Sequence, residues 1–152
     1  MRRKEREITD RVALDEILHK ALTCRLAMCD GDQPYVIPLN FGYDGKSLYI
    51  HCAREGRKLD ILKTNNRVCF EMDGDHELVK GESPCDWGFR AESVIGFGKA
   101  VLIEDGEEKR RALDVIMEHY GASPPYAYKE KAFHKALIIK VDVENMTGKK
   151  LG

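Results

Sequence analysis

Four strand-like runs crowd into the first half of the chain with only one short helical stretch among them, and this spacing limits the fold more than any other feature. The runs cover residues 25–29, 35–43, 47–52 and 68–73, and the helical stretch at 57–63 stops at Asn65-Asn66. A longer run at 93–103 and a last one at 136–143 bring the number to six; in the last, Leu137, Ile139, Val141 and Val143 alternate toward one face. Two more helices frame them. The first follows Thr9-Asp10 and carries Leu14, Ile17, Leu18, Ala21 and Leu22 at helical spacing. The other opens on Asp105 with Glu108 as a capping box, carries Leu113, Ile116, Met117 and Tyr120 as its stripe, and stops at Gly121. Residues 74–88 read as a polar loop and "ASPPYAY" as an irregular connection. The expected fold is mainly β (α+β), a small antiparallel barrel with peripheral helices rather than an alternating parallel α/β sheet.

The length of 152 residues suits one domain, 1–152, with a single sizeable core. With 25 Lys+Arg against 26 Asp+Glu the net charge is -1, which gives no general attraction for nucleic acid. Aromatic and basic residues do not interleave on any one predicted face either. No apolar run suggests a membrane span and "MRRKEREITD" lacks the apolar segment of a secretory signal, so a cytoplasmic location is expected. The cysteines Cys24, Cys29, Cys52, Cys69 and Cys85 form no C-x-x-C pair and read as reduced, mostly buried thiols. A zinc site on Cys85 and His76 lacks paired ligand spacing, and no metal is expected.

Asp44-Gly45 signals a two-residue hairpin turn with Tyr43 opposite Lys46. Counting back pairs Phe41 with Leu48, Leu39 with Ile50 and Ile37 with Cys52 on an apolar face. The other face then pairs Asn40 with Tyr49 and Pro38 with His51, residues suited to a ligand surface. Pro38 lacks a backbone donor and belongs at an edge. After His51-Cys52 the chain supplies Arg54, Gly56, Arg57 and Lys58 where a helix begins. The helix dipole is already positive there, so the added charge is arranged for an anion, and exposed amides with Arg and Lys donors suit a phosphate. The alternative is a solvated basic turn. Gly96-Phe97-Gly98 has no third glycine and no following helix, so it marks a bulge or a close backbone approach, not a dinucleotide loop.

"PLNFGYDGKSLYIHCAREGRKLDILKTNNRVCFEMD", "CDWGF" and "SVIGFGKA" together resemble the flavin-binding split-barrel proteins related to pyridoxamine 5'-phosphate oxidase, within them the nitroimidazole-resistance (Nim) group. The resemblance implies a six-stranded antiparallel split β-barrel of Greek-key type that forms a homodimer with FMN at the interface. It implies flavin contacts at Pro38, Leu39, Asn40 and Phe41, and at His51, Cys52 and Ala53. Gly56, Arg57 and Lys58 match the stretch that holds the FMN phosphate, and Ser93, Val94 and Gly96 the strand that lines the ring from the other side. Ala91 and Glu92 stand where relatives often carry an aromatic and a basic residue.

The function this implies is an FMN-dependent oxidoreductase that takes electrons, with NAD(P)H as a candidate donor, and reduces a small flat acceptor of nitroaromatic, nitroimidazole or quinone type. His51 would stand near the ring as a positioning group or proton donor. Trp87 and Phe89 are read as lid or interface residues. Two alternatives use the same residues: a flavin-binding sensor or carrier without turnover, and a haem-binding split barrel with His51 as axial ligand.

Overall fold

The computed structural model describes residues 3–152. Its strands are β1 (Glu7–Ile8), β2 (Cys24–Asp30), β3 (Gln33–Leu39), β4 (Gly42–Tyr43), β5 (Ser47–Cys52), β6 (Arg67–Val79), β7 (Gly88–Ile103) and β8 (Leu137–Leu151). The helices are α1 (Arg11–Lys20), α2 (Arg57–Thr64), α3 (Gly106–His119) and α4 (Glu130–Lys135). All strand pairs are antiparallel, and the sheet runs β3-β2-β6-β7-β8-β5-β4, with β1 beside β8. No helix among the described residues is long and apolar enough to cross a membrane.

The order of the strands makes this sheet a split barrel. β3 and β4 lie at opposite ends of the hydrogen-bonded path, yet only Asn40 and Phe41 separate them. Laid flat, six strand spacings would put those ends roughly 29 Å apart. The short connection reaches only about 10 Å. The sheet must therefore curl until its ends nearly meet, and they meet through covalent chain rather than through a ladder. Inside lie Leu26, Phe41, Leu48, Ile50, Phe70, Met72, Val94, Ile139 and Val141, all fully buried. α1 closes this core with Leu14, Ile17 and Leu18, and the Asp10 carboxylate caps it by accepting from the Ala13 amide at 2.9 Å. α3 covers a second cluster of Tyr49, Ile103, Ala112, Ile116 and Ile138 on the outside of β5 and β8.

The sequence reading needs correction at several points. The strands number eight rather than six, because the 35–43 run breaks at Asn40-Phe41 and β1 adds a short edge. The hairpin register is also different: Tyr43 faces Leu48 and Gly42 faces Tyr49. The Asp44 carboxylate accepts from the Lys46 and Ser47 amides at 3.0 and 2.8 Å, so Asp44 precedes the turn and Gly45-Lys46 form it, with φ +88° at Gly45. Ile37 and Leu39 pair with Leu26 and Cys24 of β2 instead of with β5. The 74–88 stretch is a loop only at its tip, since β6 runs on to Val79 and β7 starts at Gly88. That arm alternates no hydrophobic face, and a register shift between Asp73 and His76 hides its period.

Three helix details differ as well. Asp105 makes no side-chain cap, and Glu108 instead accepts from Lys140 at 3.4 Å. In α3 the buried residues are Lys109, Ala112 and Ile116, while Met117 and Tyr120 stay partly exposed. Leu22 lies beyond the end of α1 and is exposed. α4 gave no periodic signal because Phe133 is its one half-buried aromatic. The Gly-Phe-Gly bulge is present, and the close approach at Gly96 is to a side chain of the same chain. The pairing of β7 with β8 shifts between Phe97 and Gly98, and a Cβ on Gly96 would run into the Phe70 ring.

Candidate functional site

The place where the barrel fails to close gathers most of the residues singled out in the sequence. The β4–β5 pairing ends at Gly42 opposite Tyr49, and beyond it the chain before Gly42 and the chain after Tyr49 part. The start of α2 still reaches across: the Arg57 guanidinium stacks over the Tyr35 ring at 4.8 Å and pairs with Asp30 at 3.4 Å. One lip of the gap is thus β3, and the other is the end of β5 with the start of α2.

Each lip has open hydrogen-bonding capacity. Among the described residues β3 pairs only with β2, so its far edge is free of them. Pro34 and Pro38 have the same parity and point their nitrogens to that free edge, where no donor is missed. On the opposite lip, Gly56 adopts φ +128° and ψ 160°, a conformation that only glycine takes without strain. Its carbonyl accepts from Leu59 at 2.8 Å and Asp60 at 3.3 Å. No side chain among the described residues caps the helix, so the Arg57 and Lys58 amides remain as donors at a positive helix end.

The basic residues divide into different tasks. Arg54 is structural: its guanidinium donates to the Glu104 and His134 carbonyls at 2.9 and 2.8 Å and pairs with the Glu104 carboxylate. Arg57 crosses the gap to the β2–β3 hairpin. Lys58 makes no ion pair among the described residues. Its charge pulls down the Cys52 thiol, although burial pushes that thiol up more strongly. Cys52 is buried, so its side chain faces away from any ligand, whereas His51 and Ala53 are exposed. His51 stands opposite Ile138 in the β5–β8 ladder, and its side chain has no protein hydrogen bond among the described residues.

The remaining positions show what one chain brings together and what it does not. Pro38 and Asn40 are exposed, Leu39 is half-buried, and Phe41 lies in the core. Tyr49, placed by sequence on the same polar face, is buried under α3 and donates to Asp44 at 2.9 Å. Ser93, Val94 and Gly96 are on β7, three strands from β3 and so roughly 14 Å away along the sheet. Val94 and Gly96 turn inward, which leaves Ser93 facing out beside Ile95 and Phe97. β7 pairs with β6 and β8 on its two edges here, so its backbone groups are held in ladders and are not free donors. Sequence reasoning gave Tyr35, Asp30 and Tyr120 no part in the site, Tyr120 being read only as part of a helix stripe, because each acts across the barrel.

The outer face of the sheet is unusually apolar. Val36, Ala27, Cys69 and Phe97 form one row across β3, β2, β6 and β7, lining a depression of about 330 Å³. Val36, Ile95 and Phe97 are 60%, 46% and 49% exposed, which is more apolar surface in one place than a solvated sheet face needs. Leu78 and Phe89 form an exposed cross-strand pair on the β6–β7 arm, with Trp87 next to them in sequence and also exposed.

A curled antiparallel sheet with an open seam, and an uncapped basic helix start on one lip, define a split-barrel protein. The family described as Pyridoxamine 5'-phosphate oxidase matches residues 10–150, and the chain belongs to it. It is similar to a crystal structure from Bacteroides thetaiotaomicron VPI-5482, provisionally described as a 5-nitroimidazole antibiotic resistance protein. That likeness has 39% identity and a TM-score of 0.84, over 95% of this chain and 86% of that one. A FAD and heme binding protein from Mycobacterium smegmatis shares the fold at TM-score 0.84 and 22% identity, over 95% and 73% of the two chains. An uncharacterised curated protein from Rhizobium meliloti (strain 1021) is 35% identical over 48 residues, so the match spans only 31% of its length and 32% of this chain.

Proposed function

We propose that the protein is a flavoprotein that binds FMN in the split and uses it to reduce a small flat acceptor of nitroaromatic or quinone type. The observation that carries this reading is the start of α2, where glycine, uncapped amides and Lys58 stand together across from the free edge of β3, a set of donors that suits a phosphate. Bound there, the flavin would supply the electron transfer itself. The chain's task is to hold it: the Arg57 and Lys58 amides and side chains take the phosphate, and the β3 edge with Asn40 takes the ring. His51, exposed on the facing lip, is available to hold a proton beside the ring.

The apolar outer face supports a homodimer. Covering Val36, Ile95 and Phe97 with a second copy removes them from water, and the same contact would carry each copy's Ser93 toward the other's cleft. This accounts for a ring-lining position that lies too far from the basic turn within one chain. The visible spectrum of the purified protein tests the reading, recorded before and after anaerobic NADH or NADPH. A flavin spectrum that bleaches supports an oxidoreductase, and one that persists favours a sensor or carrier. A Soret band in place of flavin would assign the cleft to haem, with His51 as ligand. Failure to take up added FMN would remove the proposal.

A further inference from the structure

Asn40 and Phe41 bridge the gap between β3 and β4 and have no ladder partner among the described residues, yet the Asn40 Nδ2 and the Phe41 amide are not left to water. The Tyr120 hydroxyl, from the C-terminal end of α3, accepts from the Phe41 amide at 3.2 Å and from the Asn40 Nδ2 at 3.2 Å. It donates its one hydrogen to the Leu22 carbonyl at 2.8 Å. The neighbouring His119 supports the same junction, with Nε2 bonded to the Ala21 carbonyl at 2.8 Å and its ring 4.3 Å from that of Phe41. The placement of Tyr120 is itself fixed. The helix ends with Gly121 at φ +81° and with the Ala122 amide donating to the Met117 carbonyl at 3.1 Å.

These bonds decide which way the Asn40 carboxamide points. A tyrosine hydroxyl has one hydrogen, and here Leu22 receives it. Toward Asn40 the hydroxyl is therefore an acceptor only, which obliges Asn40 to present its Nδ2 to it. The Oδ1 is left pointing away, on an exposed residue of the β3–β4 bridge, with no protein donor among the described residues. The gap thus offers an oriented acceptor.

We infer that Tyr120 is a positioning residue that holds Asn40 so that its Oδ1 selects a ligand with an N–H donor at that point, the N3–H of the isoalloxazine. This rests on the flavin reading above. In the oxidised ring N3–H is the one ring N–H, while O2, N1, O4 and N5 all accept, so an acceptor-only partner fixes which edge faces Asn40. Without Tyr120 the amide is free to rotate and offer either end.

The test is titration of the ligand-free protein with FMN and with FMN methylated at N3. The wild type is expected to favour FMN by roughly tenfold, the worth of one good hydrogen bond. Tyr120→Phe should reduce that preference to about threefold or less, and Asn40→Ala, at an exposed position that leaves the clamp residue intact, should abolish it. Equal binding of both flavins by the wild type, or an unchanged preference in both variants, overturns the inference while leaving the flavin reading standing. Uptake of neither flavin by the wild type overturns both together.

Discussion

Arg57→Ala, set beside Asp30→Asn, gives the sharpest test of the phosphate cradle because the two changes should act in opposite directions. A charge-assisted hydrogen bond from Arg57 to phosphate contributes about 1.5–3 kcal/mol. Arg57 also has Asp30 at 3.4 Å, and their side chains are 53% and 51% exposed. An exposed pair of that kind is worth at most about 1 kcal/mol, and part of it is given up when phosphate binds. The balance is about 1–2 kcal/mol, so Arg57→Ala should weaken FMN binding roughly 5–30-fold. Asp30→Asn frees the guanidinium and removes a negative charge beside the phosphate, and should tighten binding by up to about fivefold. Flavin fluorescence quenching reads both, with riboflavin as the control because it has no phosphate. Riboflavin affinity should not follow either change. If Arg57→Ala weakens riboflavin as much as FMN, or if Asp30→Asn weakens FMN, the assignment of the phosphate to α2 is wrong.

Other outcomes can be checked separately. Arg54→Ala should lower stability by about 1 kcal/mol in urea unfolding, through loss of its bonds to Glu104 and His134, and leave the ratio of FMN to riboflavin affinity unchanged. Gly96→Ala forces a methyl against the Phe70 ring and should cost about 1–3 kcal/mol, part of which Phe70→Leu in the same chain restores. His119 should make the fold acid-sensitive. Its Nδ1 is buried without a partner, and burial together with His19 lowers its pKa below the usual 6.5, against a raising contribution from the Ala21 carbonyl. The unfolded chain then takes up that proton first, so the contribution is intact above pH 6.5 and is lost as pH falls below it. Thermal melts from pH 7.5 to 5.5 should show this decline in the wild type and a shallower one in His119→Phe.

The parts of this fold that follow local rules were legible in the sequence. Asp10 caps α1, Gly56 opens α2, Gly121 ends α3, and the alternation of Leu137, Ile139 and Val141 faces the core. The parts that depend on distant partners were not. The Asp44 side chain moved the hairpin turn by one position, a choice that the Asp-Gly pattern leaves open until the hydrogen bonds are seen. The pairing of β3 with β2, the Arg57–Tyr35 stack and the Tyr120 bridge join residues far apart in sequence, and no periodicity encodes them. Arg54, which looks like a fourth anion ligand in sequence, is occupied by carbonyls that only the folded chain brings near.

The seam of this barrel is bounded by a residue count rather than by a hydrogen-bond register. Elsewhere around the sheet, neighbouring strands are locked at a spacing that backbone chemistry allows little room to change. Between β3 and β4 the limit is the span of Asn40 and Phe41. One residue added there would let the opening widen by up to about 3.5 Å without breaking a single ladder bond. Bore and wall are therefore separable properties in this architecture: the wall stays fixed while a short insertion resizes the slot for a bulkier guest.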